Sequence, residues 1–268
     1  MADISGSAVA GELFGMWRNT RMVVLTAICA SLYGAILIPF KVAPIIPGVT
    51  ELRPANALPV VCSFLFGPAG AWGAAFGNLI GDFFGGLGPG DLFGFAGNLL
   101  FGLVPYSVWQ AVTDAPPVPS RRVGWWALFV TVVGLAGMLC ANVIGWGLAV
   151  LGFHPFTVVA SSVLVNNLVA GVGLAPLLLG FLHERVGSAH LLYQNLLGAR
   201  PRRSIARRAI ALASVGAGTL GGFVAGQAIS AHLWLPPWVA IATASGRWEL
   251  GLGVLPFLGL AMLGLALL

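Results

Sequence analysis

Apolar residues in this chain gather in long unbroken runs, with neither the strict alternation of a half-buried strand nor the narrow stripe of a soluble helix. Eight runs stand out, over residues 22–40, 55–66, 69–84, 92–110, 124–151, 156–182, 209–230 and 250–268. About 20 apolar residues cross a bilayer as a helix, so the pattern predicts membrane helices. The run at 55–66 is too short to cross alone, and Phe66-Gly67-Pro68 turns the chain at once into the next run. Gly suits the end of one helix and Pro the first turn of another. Runs two and three therefore read as a compact hairpin with a partly broken first arm.

Composition fixes the solvent. Hydrophobic residues make up 58% of 268 positions, charged residues 8%, and mean hydropathy is +0.95. A soluble domain of that makeup would be covered in apolar surface. The run at 22–40 follows Arg18 and Arg21 but lacks a small-residue cleavage site before a polar start, so it reads as a retained helix rather than a signal peptide. Cys29, Cys62 and Cys140 are too few and too widely spaced for a disulfide framework or a metal cluster, and read as small packed residues. No metal or cofactor is expected.

The charges orient the bundle. With a cytoplasmic N-terminus, the inner segments hold ten arginines (Arg18, Arg21, Arg121, Arg122, Arg185, Arg200, Arg202, Arg203, Arg207 and Arg208), while the outer ones hold only Lys41, Arg53 and Arg247. Positive residues favour the cytoplasmic side, so both termini are expected inside a multi-pass protein of the cell membrane. The net charge of +5 then reflects contact with anionic lipid, and no aromatic-interleaved basic surface calls for nucleic acid. The Arg200 to Arg208 cluster serves either lipid contact or a cytoplasmic partner.

A change in composition divides the chain. Residues 1–21 form a cytoplasmic N-terminal segment, 22–184 a six-helix core with nearly all the buried polar groups, and 185–208 a basic linker. Residues 209–268 form an added C-terminal helix pair rich in Gly, Ala and Leu. The fold class is all-α, a polytopic bundle of six helices plus two. No internal repeat is visible, which argues against a transporter of two inverted halves.

Polar side chains within spans tend to face the bundle interior. The outer loop before the hairpin brings Lys41, Glu51, Arg53 and Asn56, and the hairpin's return brings Asn78 and Asp82, one helical turn apart. Asn98, Asn142, Trp146 and the pair Asn166-Asn167 lie deeper. Together they can converge on one outward-facing cavity. Each also has a plainer reading: an asparagine that only bonds a neighbouring helix, an Asp82 or Glu51 that pairs with Arg53 at the surface, a Trp146 that merely packs. His154 reads as a loop histidine. On the first span Thr26, Ala30 and Gly34 recur every four residues, as do Ala27, Ser31 and Ala35. Such faces let helices approach closely, either within the chain or across to another membrane subunit.

The arrangement resembles the substrate-binding S component of energy-coupling factor (ECF) transporters, over roughly residues 18–184. The resemblance rests on ELRPANALP followed by LFGPAGAWGAAFGNLIGD, with the small-residue N-terminal helix and the long outer loop. It implies a receptor for a vitamin or related micronutrient that works with a transmembrane coupling subunit and ATPase subunits and hydrolyses nothing itself. By position, Thr26, Ala27, Ala30, Ser31 and Gly34 would face the coupling subunit, and the loop 41–56 would cover the pocket. Glu51, Arg53, Asn56, Asn78, Asp82, Asn98, Asn142, Trp146 and Asn166 are the candidate substrate-binding residues. The C-terminal pair departs from the family pattern, in which the chain stops after six helices.

Other classes fit less well. The chain has no Walker lysine motif, no HExxH and no GxSxG, and His154, His183, His190 and His232 lie at span ends or in loops. No enzyme is expected. The rivals are a self-sufficient secondary transporter or channel, using Asp82 or Glu249 for ion coupling, and a membrane scaffold. Several amides with a tryptophan suit a heteroaromatic, hydrogen-bonding nutrient, and a queuosine precursor, riboflavin and cobalamin all satisfy that.

Overall fold

The computed structural model describes residues 8–40, 44–46, 50–51, 53–198, 203–242 and 246–268. Lys41, Arg200 and Arg202 lie outside these residues, as does the side chain of Glu51. The described chain is an all-α bundle with one small antiparallel ribbon, β1 (Pro44–Ile46) and β2 (Thr50–Glu51), in the loop after the first long helix. In it Pro44 pairs with Glu51 and Ile46 with Thr50.

The helices run in order as α1 (Ala8–Gly15), α2 (Thr20–Phe40), α3 (Ala57–Phe66), α4 (Pro68–Gly85), α5 (Asp91–Val112) and α6 (Val123–Val150). They continue as α7 (Phe156–Gly173), α8 (Ala175–Ser188), α9 (Tyr193–Leu197), α10 (Ile205–Ser230), α11 (Pro237–Ile241) and α12 (Arg247–Leu267). Six of them, α2, α5, α6, α7, α10 and α12, are long and apolar enough to cross a membrane. The protein is therefore a polytopic membrane protein. The expected count of six core spans plus two is corrected: α10 and α12 belong to these six, while α3 and α4 fall outside them. Helix α3 is short, and α4 is too rich in Gly, Asn and Asp. Most of α4 is buried by its neighbours, so lipid never tests its polarity.

The hairpin turns as its sequence predicts. Gly67 takes φ +54°, a left-handed conformation that other residues rarely adopt, and Pro68 opens α4. A short helix in the basic linker closes over this turn: a Cβ on Gly67 would stand 2.8 Å from the ring of Tyr193. The run 156–182 is broken into α7 and α8. Pro176 lacks an N–H donor and sits at the start of α8, so the helix restarts there. The N-terminal segment holds an unforeseen helix, α1, whose Leu13 carbonyl accepts from Trp72 Nε1 at 2.8 Å.

Helix α4 is the hub, touching α2, α3 and α5; α6 then follows α5, and α7 follows α6. The C-terminal helices α10 and α12 pack on each other and on α6. Close approach of α4 to α2 depends on Gly73, Gly77 and Gly81. Added Cβ atoms there would collide with Cys29, Tyr33 and Leu37 of α2, spaced by the same four residues. At Gly77 the new atom would lie 2.8 Å from Tyr33 Cβ and 2.9 Å from the Ala30 carbonyl oxygen. Gly77→Val should therefore destabilise the protein by about 1–3 kcal/mol, while Gly216→Val, at a position with nothing within 4 Å of the added atom, should not. A thermal melt of each purified variant in one detergent checks this; equal melting temperatures would refute the close-packing role of Gly77.

Candidate functional site

Three helices and the 3-10 turn before α3 bring polar side chains to one buried point. Tyr33 enters from α2, where the bare backbone of Gly77 leaves room for its ring. Its hydroxyl donates to Asn56 Oδ1 at 2.9 Å and lies 3.2 Å from Asn98 Oδ1. Asn56 ends the 3-10 turn Pro54–Asn56 that leads into α3, and its Nδ2 donates to Asn167 Oδ1 of α7 at 2.7 Å. Asn98 of α5 donates to the Gly94 carbonyl one turn earlier, at 2.9 Å, which aims its oxygen at Tyr33. All four side chains are at most 5% exposed. Yet Asn167 Nδ2 makes no well-formed hydrogen bond among the described residues and has only the Cys140 thiol, a weak acceptor, beside it, so the network has a donor to spare.

A second polar pair adjoins the first group. On α4, Asn78 Nδ2 donates to Asp82 Oδ2 at 2.5 Å. An added Cβ at Gly94 would stand 3.0 Å from that amide nitrogen and 3.5 Å from the carboxylate, so α5 runs directly against the pair. Arg53, at the start of the 3-10 turn, and Asp82 both act electrostatically on Tyr33. Arg53, Asn56, Asn78, Asp82 and Asn98 are thus brought together by the fold. A charged pair of opposite sign flanks a neutral set of amides and one phenol.

The other expected residues go elsewhere. Asn142 Nδ2 donates to the Thr219 carbonyl of α10 at 2.8 Å, and Trp146 Nε1 to the Gly251 carbonyl of α12 at 3.0 Å. Both tie α6 to the C-terminal helices. Asn166 is half-buried and has an interaction of its own, but its neighbour Asn167 is the one that joins the network. One residue along a helix turns a side chain by about 100°. Glu51 contributes backbone pairing in β2.

Tyr33 is absent from the residues expected at the site and Asn167 enters only beside Asn166, yet each carries a signal. A tyrosine within an apolar span needs a partner for its hydroxyl. Asn167 shares a helical face with Ala160, Ala170 and Gly171, the small residues through which α7 packs.

The small-residue face of α2 also divides. Thr26, Ala30 and Gly34 are buried, Ala30 and Gly34 against α4, whereas Ala27, Ser31 and Ala35 are exposed. Chemically, the buried cluster can bind by exchanging hydrogen bonds but has nothing to react with. Among the described residues, no three His, Cys, Asp or Glu side chains gather as a metal site would need. The three cysteines are buried and free.

Comparison with known proteins gives one result that covers this whole cluster. No curated protein and no solved structure matches the chain. Residues 23–184, more than half of the sequence, match the family described as "QueT transporter". Tyr33, Arg53, Asn56, Asn78, Asp82, Asn98 and Asn167 all fall within that stretch. The chain belongs to the QueT transporter family, a family of membrane transporters and not of enzymes.

Proposed function

We propose that the chain is the membrane-embedded substrate-binding subunit of an ECF-type importer. It captures a vitamin or related micronutrient from outside and passes it on by associating with a transmembrane coupling subunit and ATPase subunits. The observation that carries this reading is the convergence of Tyr33, Asn56, Asn98 and Asn167 from three helices and the 3-10 turn before α3, with Asn167 Nδ2 lacking a full partner. Polar groups in a membrane interior are costly unless they serve binding or each other. Here they do both, and the spare donor suits a carbonyl or ring-nitrogen acceptor of a heteroaromatic ligand. Asn78, Asp82 and Arg53 complete the wall, with Asn166 at its edge and Glu51 in the covering loop.

Residues 22–184 form the binding core, 185–208 the basic cytoplasmic linker and 209–268 the C-terminal pair, with both termini cytoplasmic. The bias of ten arginines to three basic residues supports that orientation. Coupling to ATP hydrolysis belongs to partners, since the chain carries no phosphate-binding lysine motif. On α2, Ala27 and Ser31 face outward and are the positions open to a coupling subunit. Thr26, Ala30 and Gly34 support that surface from within by seating α4.

The ligand is named by mass spectrometry of small molecules released from gently purified protein. With that ligand, calorimetry should show Asn167→Ala and Asp82→Ala each binding about tenfold more weakly, the cost of one lost hydrogen bond in a buried site. Wild-type affinity in both variants would remove the pocket assignment.

Ser31→Leu should abolish uptake in cells while leaving the ligand affinity of the purified protein unchanged. Normal uptake by this variant would exclude α2 as the docking face, and uptake by the purified chain alone in liposomes would replace the importer-subunit reading with a self-sufficient transporter.

A further inference from the structure

A cavity of about 320 Å³ opens where the end of α5, the short helix α9 and the start of α10 meet. It shares no residue with the amide network. Gln110, on its wall, lies twelve residues beyond Asn98 along α5, a rise of about 18 Å. This is the end of the bundle that carries the arginine cluster.

The walls are rigid and aromatic. Phe64 meets Trp109 edge-on with ring centres 5.4 Å apart, and Tyr106 meets Tyr193 in the same way at 5.4 Å. The Trp109 indole is fixed by donating to the Ala115 carbonyl at 2.7 Å. Over this floor stand two guanidinium groups. Arg208 is held by a bond from Nη1 to the Ala111 carbonyl at 3.2 Å, and Arg203 lines the same space.

Three polar atoms at this site lack partners. Arg203 Nε, Arg208 Nε and Gln110 Oε1 are all buried with no hydrogen bond among the described residues. Two guanidinium groups lining one space suit a tetrahedral or planar oxyanion, and arginine forks match phosphate oxygens well. The unused Gln110 oxygen is an acceptor and calls for a hydroxyl donor on the same ligand. Asp114, which also lines the cavity, has an interaction of its own and offers further acceptor capacity. The volume lies at the small end of ligand sites, and basic pockets between helices at the inner surface take lipid headgroups.

We propose that this cavity binds a phosphate ester bearing free hydroxyls, supplied either as the headgroup of phosphatidylglycerol or as a soluble polyol phosphate. The proposal stands independently of the importer reading.

Native mass spectrometry of the full chain in mild detergent tests it, with phosphatidylglycerol and phosphatidylcholine of identical acyl chains and glycerol 3-phosphate as the soluble probe. Phosphatidylglycerol should saturate one site with at least a fivefold preference over phosphatidylcholine. Arg203→Gln should weaken that binding at least fivefold. Arg121→Gln, at an exposed position outside the cavity, should leave it unchanged. Displacement of the lipid by glycerol 3-phosphate, or binding of that probe with no lipid preference, assigns the site to a soluble source. Equal retention of both lipids with no response to glycerol 3-phosphate would overturn the proposal, as would equal effects of the two arginine variants. Should Arg203→Gln fail to fold, Gln110→Leu decides: it must reduce the preference for phosphatidylglycerol over phosphatidic acid, whose phosphate carries no glycerol hydroxyls, and an unchanged preference counts against the site.

Discussion

Lipid tails are as apolar as leucine, so helices in a bilayer gain little from hiding apolar surface from one another and associate through close packing and polar contacts. In this protein the contact between α2 and α4 supplies the closest packing around the site. Gly73, Gly77 and Gly81 present a strip of bare backbone to Cys29, Tyr33 and Leu37, residue for residue at matching spacing. The register of that strip decides where Tyr33 sits. Because α4 also approaches α3 through Gly70 and receives α5 through Gly102, three helix contacts are set by residues with no side chain at all.

Once those backbones are close, the polar groups have little freedom. The Tyr33 hydroxyl can reach Asn56 and Asn98 only because α2 lies flush on α4 and α5 lies flush on the other side. Asn56 extends the chain of bonds to α7. The same set of contacts therefore specifies the bundle and builds the site. A buried amide donor without a full partner is destabilising; in the proposed binding role a ligand acceptor would offset that deficit and link affinity to fold stability through Asn167.

Much of this was legible in the sequence, and what escaped it has two physical causes. The Gly67-Pro68 turn follows from backbone preferences of the two residues, and the long apolar helices follow from hydropathy. Depth along the membrane was likewise readable: Asn56, Asn78, Asp82 and Asn98 do come together. Rotation about each helix axis was not. Asn167 rather than its neighbour Asn166 joins the network, a difference of one residue, and the division of the α2 face into buried Thr26, Ala30 and Gly34 and exposed Ala27 and Ser31 is the same kind of difference. Hydropathy reports an average around the helix and carries no phase when every face is apolar. Asn142 and Trp146 escaped for another reason, since their partners Thr219 and Gly251 lie 77 and 105 residues away and nothing local announces them.

Those two distant bonds explain how α10 and α12 can join the bundle without disturbing its site. Gly218 and Gly264 let the pair interlock backbone to backbone, and Gly226 accepts the Phe156 ring of α7. The pair is thereby seated on α6 and α7 through groups that the amide network does not use. Asn142 and Trp146 hold α10 and α12, while Tyr33, Asn56, Asn98 and Asn167 remain committed to one another. The exposed positions of α2 remain exposed in the complete bundle. Helices α10 and α12 thus extend the six-span bundle on one flank, while Ala27, Ser31 and Ala35 of α2 stay exposed.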